Sequence, residues 1–151
     1  SIIDDIGAHV DEIHSGMNVV LKLPMVKIHD KRYSLGLDEA EKAEFLAEMR
    51  QMLTSIQQIM TGIATKDKDM IIKAARYSGN KMARATPQSV KDKTPVSFEQ
   101  IGGPTHMMFE ELIINVEEMD LNDQDDITDL AEFTGKLMRN CLACHAAFKV
   151  E

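Results

Sequence analysis

The chain has 151 residues, 44% hydrophobic and 28% charged, which suits one globular domain and is too short for two with separate cores. Eight Gly and four Pro leave too few turn signals for an all-β sandwich or barrel, and eleven Met with no Trp point to a helical core of Leu, Ile, Met and Ala. A formal charge of −8 without a basic stripe argues against a nucleic-acid backbone as partner, and apolar runs such as Met17–Leu21 fall far short of a bilayer span.

Residues 2–30 are mostly helix-compatible, with Pro24 ending or kinking a helix near Leu23. A loop follows from Asp30 to Leu37. Asp38 stands three residues before Glu41, the spacing of a capping box. Behind it Phe45, Met49, Met52, Ile56, Ile59 and Ile63 alternate steps of four and three, which predicts a bundle helix over 38–64. The charged run Lys66–Asp69 reads as a tight turn. A shorter helix over 68–84 carries Ile71, Ile72, Ala75 and Met82.

Pro87, Pro95, Gly102 and Gly103 make 85–103 read as a long loop. Pro104 suits the first turn of a helix over 104–120, marked by Met108, Leu112, Val116 and Met119, and His106 then falls in that first turn. The acids between Asn122 and Asp126 favour the N-terminus of a last helix over 125–149. Its stripe runs Ile127, Leu130, Thr134, Leu137, Cys141, Cys144, Phe148. The expected fold is all-α: a four-helix bundle over 38–151, with 1–37 as an additional N-terminal helical segment.

The two cysteines both lie in Cys141-Leu142-Ala143-Cys144-His145. Cys-x-x-Cys-His reads as a c-type haem attachment run. Thiols three residues apart on a helix point the same way and can form thioethers to the two vinyl groups of one porphyrin, while His145 brings an imidazole nitrogen to the iron. A zinc site using the same three residues lacks a second ligand pair. A thioredoxin-like dithiol belongs at a helix N-terminus after a strand, whereas this pair stands near a helix C-terminus.

A helical bundle with Cys-x-x-Cys-His in its last helix resembles the class II cytochromes c, typified by cytochrome c prime. The tail 141–149, with an aromatic three residues after the His and then a base, is similar to that family's ending. The resemblance spans about residues 38–151 and implies one covalent haem c with His145 as proximal iron ligand. It also implies a residue of the first bundle helix on the other face of the iron. Met49 is the first choice there and Met52 the second, with Phe45 and Leu53 as core-facing neighbours. If 2–23 is the first helix instead, Met17 takes the role, with His14 and His9 as nitrogen alternatives. An apolar residue would leave the iron five-coordinate.

Met is more often core filler than ligand, and eleven are present. Arg139 and Lys149 are candidates to meet haem carboxylates. No nucleophilic triad, phosphate-cradling loop or carboxylate pair is evident, and distal acid–base groups for peroxidase chemistry are not identifiable, so no enzyme is expected. The expectation is a single-electron carrier working with redox partner proteins. The alternative is a five-coordinate binder of nitric oxide or carbon monoxide. The acids Glu110, Glu111, Glu117 and Glu118 read as a solvated helix face that also offers a negative patch to a basic partner. The resemblance further implies a periplasmic protein that has lost a leader before Ser1, with pairing of two copies as another expectation.

Overall fold

The computed structural model describes residues 30–151. The expected helix ending near Leu23 and the candidate ligands His9, His14 and Met17 lie outside the described residues. Arg32–Glu151 forms a compact unit.

Asp38 begins the first helix as its spacing predicts. Its carboxylate accepts from Glu41 N at 2.9 Å, and the Glu41 carboxylate accepts from Asp38 N at 3.0 Å, so two otherwise orphaned donors are satisfied. Helix α1 then runs Glu39–Thr65. It ends at Lys66, in the left-handed region at φ 57°, and Asp67 N donates back to Gly62 O at 2.8 Å. Asp67 in turn caps α2, Lys68–Ser78, by accepting from Met70 N.

Residues 68–84, expected as one helix, break at Gly79 into α2 and α3, Asn80–Ala85. At the break Glu110 Oε1 accepts from Asn80 N at 2.8 Å. A Cβ on Gly79 would stand 2.2 Å from that oxygen, so glycine makes the approach possible.

The largest departure from expectation is 85–103. This stretch holds α4, Gln88–Lys93, and the first two turns of α5, which starts at Val96 and runs to Glu118. Pro95 is the N-cap, and Pro104 is inside the helix. An interior proline lacks the N–H for residue 100 and crowds its carbonyl. Two features make it tolerable. Gly103, with no Cβ, removes the clash that normally expels a residue before proline from the helical region. Both Gly103 and Pro104 are exposed, which leaves the disturbed turn toward water.

This account gives an asymmetric prediction. Gly103→Ala is expected to destabilise by about 1 kcal/mol beside Pro104, yet to stabilise by about 0.5–1 kcal/mol once Pro104 is Ala. Urea titration of the four proteins checks it. Equal effects in both backgrounds would contradict it.

Asp123 caps α6, Gln124–Ala147, by accepting from Asp125 N and Asp126 N. The architecture is the expected all-α bundle: α1 packs on α2, α2 on α5, and α5 on α6. The fourth side of the ring is different: α1 and α6 make few close backbone approaches, although Ile56 and Ile59 share the buried core with Leu130 and Leu137. A buried core of Ile56, Ile59, Ile71, Phe109, Leu112, Val116, Leu130 and Leu137 fills one part of the bundle. A smaller cluster, Leu35, Leu37, Val90 and Phe148, closes the other end. There β1, Tyr33–Ser34, pairs in parallel with β2, Phe148–Lys149.

One ion pair joins the start of α1 to the end of α4: Lys93 Nζ lies 2.5 Å from Glu41 Oε2. The Lys93 hydrogen bond, with Asp38 N–H, holds the Glu41 carboxyl below its ordinary pKa. A carboxyl lowered in the folded state adds stability above its unfolded pKa and loses it as pH falls through the folded one. Lys93→Met is therefore expected to flatten the fall in urea midpoint on the acid side of roughly pH 4. An unchanged acid limb would show that the pair is energetically silent, as exposed pairs often are.

Candidate functional site

The gap between α1 and α6 continues into a cavity of about 670 Å³, within the roughly 300–1,000 Å³ range of ligand and cofactor pockets. Its α1 wall includes Phe45, Met49, Met52 and Ile56, its α5 wall Phe98, Ile101, His106 and Phe109, and its α6 wall Cys141, Cys144 and His145. Val90 of α4 and Ala83 of α3 supply the fourth side. A smaller hollow of about 220 Å³ shares Phe45, Met49, Phe98, Cys144 and His145, and is bordered by Arg32, Phe148 and Lys149.

Met49 and the Cys-x-x-Cys-His run, 92 positions apart in sequence from Met49 to Cys141, therefore meet on one wall system. Met49 lines both hollows beside Cys144 and His145. Met52 lines only the larger one and packs against the buried core, as a filler residue would. Leu53 departs from its expected core position: it is 69% exposed and stands on the rim. One turn after Met49, and a helical step of about 100° past Met52, it stands at the edge of their stripe.

Cys141 and Cys144 are half-buried. Burial is the main cause raising both thiol pKa values, with the neighbouring Cys141 adding to the effect at Cys144. Both are therefore neutral thiols near neutral pH, unlike the thiolates of a redox dithiol. His145 borders both hollows although the residue is exposed as a whole. Its carbonyl accepts from Arg32 Nη1 at 3.3 Å. Among the described residues no group of three or more His, Cys, Asp and Glu side chains is placed to hold a metal ion, so the zinc alternative lacks a converging donor set.

The end of α6 is fixed by aromatic packing. Phe148 N donates to Cys144 O, and the buried ring meets Phe98 edge-on at 5.3 Å between centroids. Phe98 also packs against Phe45 at 5.8 Å. These rings join α1, α5 and α6 beside Met49 and His145. Lys149 borders the smaller hollow and pairs with Glu151, whereas Arg139 is exposed and borders neither hollow.

His106 was expected in a first helical turn, exposed or bonded to a loop. Because α5 starts at Val96, it is well inside the helix and half-buried on the cavity wall. Its Nδ1 lies 2.7 Å from Ser78 O. A carbonyl only accepts, so Nδ1 carries the proton. Ser78 is itself fixed, its hydroxyl donating to buried Ser55 Oγ at 2.7 Å.

Sequence reasoning missed Phe98, Ile101 and His106 as wall residues. The signal was present: Phe98, Ile101, Thr105, Phe109, Leu112 and Val116 keep helical steps straight through the Gly-Gly-Pro run. No protein-family model matches the chain, and no curated protein or solved structure matches it. No helix among the described residues is long and apolar enough to cross a membrane.

Proposed function

We propose that the chain is a monohaem c-type cytochrome that carries single electrons between redox proteins, in the periplasm of a bacterium. One observation carries the reading: Cys141, Cys144 and His145 share an apolar-walled cavity with Met49, where the first and last bundle helices stand apart. The donor set fits a haem. Cys141 and Cys144 would hold it by thioethers, His145 by an imidazole nitrogen and Met49 by its sulfur, a set that favours a raised potential. When bound, haem supplies ferric–ferrous chemistry by gain or loss of one electron.

The chain's own residues do the rest. Phe45, Phe98, Ile101 and Phe109 keep water from the cofactor faces, and the bundle fixes both ligand-bearing helices. Lys149 borders the smaller hollow, where a carboxylate edge would compete with Glu151 for its charge. The test is the absorption spectrum of the matured protein, oxidised and reduced, with and without carbon monoxide. A sharp low-spin reduced spectrum, a thioether–iron charge-transfer band when oxidised and indifference to the gas are expected. A high-spin spectrum that shifts with carbon monoxide would favour the gas-binding alternative, for which a cavity of about 670 Å³ leaves room. Absence of haem from correctly matured protein would overturn both.

A further inference from the structure

The seam between α1 and α6 has an outer face that the bundle does not use. On α1 the positions 46, 50, 53, 57, 60 and 64 step by four and three, and on α6 the positions 131, 135, 138, 142 and 146 do nearly the same. Such spacing marks one stripe along each helix. The stripes hold four large exposed apolar side chains: Leu53 at 69%, Met60 at 48%, Met138 at 43% and Leu142 at 71%. Leu53, Met138 and Leu142 also line the cavity mouth.

No acid stands on either stripe, although Glu48 and Glu99 line the same cavity together with Arg50 and Lys91. The stripes' one charged residue is Arg50, on α1, and Arg139 flanks Met138 and Leu142 on the outer side of α6. The neighbouring Glu132 is neutralised by Lys136 at 2.9 Å. The acids Glu117, Glu118, Asp120, Asp123, Asp125 and Asp126 gather instead where α5 passes into α6, at the opposite end of α6 from the cavity. Glu110, part of the patch expected to face a basic partner, is occupied with Asn80 N.

We propose that this apolar, arginine-flanked seam is the docking surface for an acidic redox protein, an inference that rests on the electron-carrier reading. An apolar centre excludes water while flanking charges set orientation and encounter rate. The sign of those charges selects the occupant. Two copies meeting through this face would bring four guanidinium groups together, whereas an acidic surface would pair with them. The partner would then lie over the cavity mouth, where Leu53, Met138 and Leu142 stand.

The experiment measures binding rather than turnover. Oxidised holoprotein is titrated calorimetrically with an oxidised flavodoxin, a small acidic single-electron flavoprotein, and with a strongly basic mitochondrial-type cytochrome c as control. Binding to the acidic probe is expected, with affinity falling about tenfold or more between about 20 and about 300 mM salt. Arg50→Glu with Arg139→Glu, and separately Leu142→Asp, are expected to weaken it at least about tenfold. Arg139→Glu, outside the cavity, should leave the absorption spectrum as it was. Salt-independent binding, preference for the basic probe, or full affinity after charge reversal would overturn the proposal. So would sedimentation equilibrium showing a dimer that Leu142→Asp dissociates, which would assign the face to a second copy. The absorption spectrum reports separately on the haem, so failure of the cytochrome reading is distinguishable from failure of docking.

Discussion

The double replacement Cys141→Ser with Cys144→Ser is expected to abolish covalent haem. After denaturing electrophoresis the haem stain should vanish from the polypeptide, and its mass should fall by that of one haem. Serine is close to cysteine in shape, though more polar, and forms no thioether, so the change removes the bond with little change in volume. The seam explains the expected severity. With few close backbone approaches between α1 and α6, little protein closes over the cavity mouth, and a haem held only by His145, Met49 and apolar walls should exchange into apomyoglobin. Each single Ser variant should retain haem through one thioether, with the reduced absorption maximum displaced by the unsaturated vinyl group. A stable covalent adduct in the double variant would refute the assignment of these sulfurs.

Met49→Ala carries the second large effect. The thioether–iron charge-transfer band of the oxidised protein should disappear, and the reduced protein should begin to bind carbon monoxide. Met52→Ala is the matched control. Met52 packs against the buried core, so its truncation should keep the band while costing about 2 kcal/mol or more in a urea unfolding experiment. The opposite pattern would move the ligand by about one helical turn. Loss of the band in neither variant would place the sixth ligand elsewhere in the chain.

The helices around the site were legible where local chemistry and periodicity agreed. Asp38 and Glu41 announced the start of α1, and the four-three rhythm through Cys141 and Cys144 marked α6 to within a few residues of its observed ends. Prolines and glycines misled where their usual meaning was overridden by neighbours. Pro104 looked like a helix start because a proline is cheapest there, yet Gly103 makes an interior position accessible, and α5 begins at Val96. His106 moved from an end to a wall for that reason alone. Leu53 shows a different limit. Its spacing fits a core stripe, but whether a stripe's edge is buried depends on how closely the next helix approaches, and α6 stands off.

The ring of contacts also orders the molecule in time. Successive neighbours in the chain, α1 with α2 and α5 with α6, are joined by short turns, and α2 with α5 brings the two pairs together around one core. By contrast, the pairing of Tyr33–Ser34 with Phe148–Lys149 joins segments more than a hundred residues apart, with Leu35 N donating to Lys149 O at 3.0 Å. Closing so long a span is entropically expensive, and the ladder itself is only two residues a side, with the small cluster of Leu35, Leu37, Val90 and Phe148 behind it. These amides should therefore exchange with deuterium through a local opening well below the global unfolding free energy, while those of α2 and the middle of α5 wait for complete unfolding. The end of the bundle that carries His145 should thus open before the main core, and whatever fills the cavity should slow exchange there first.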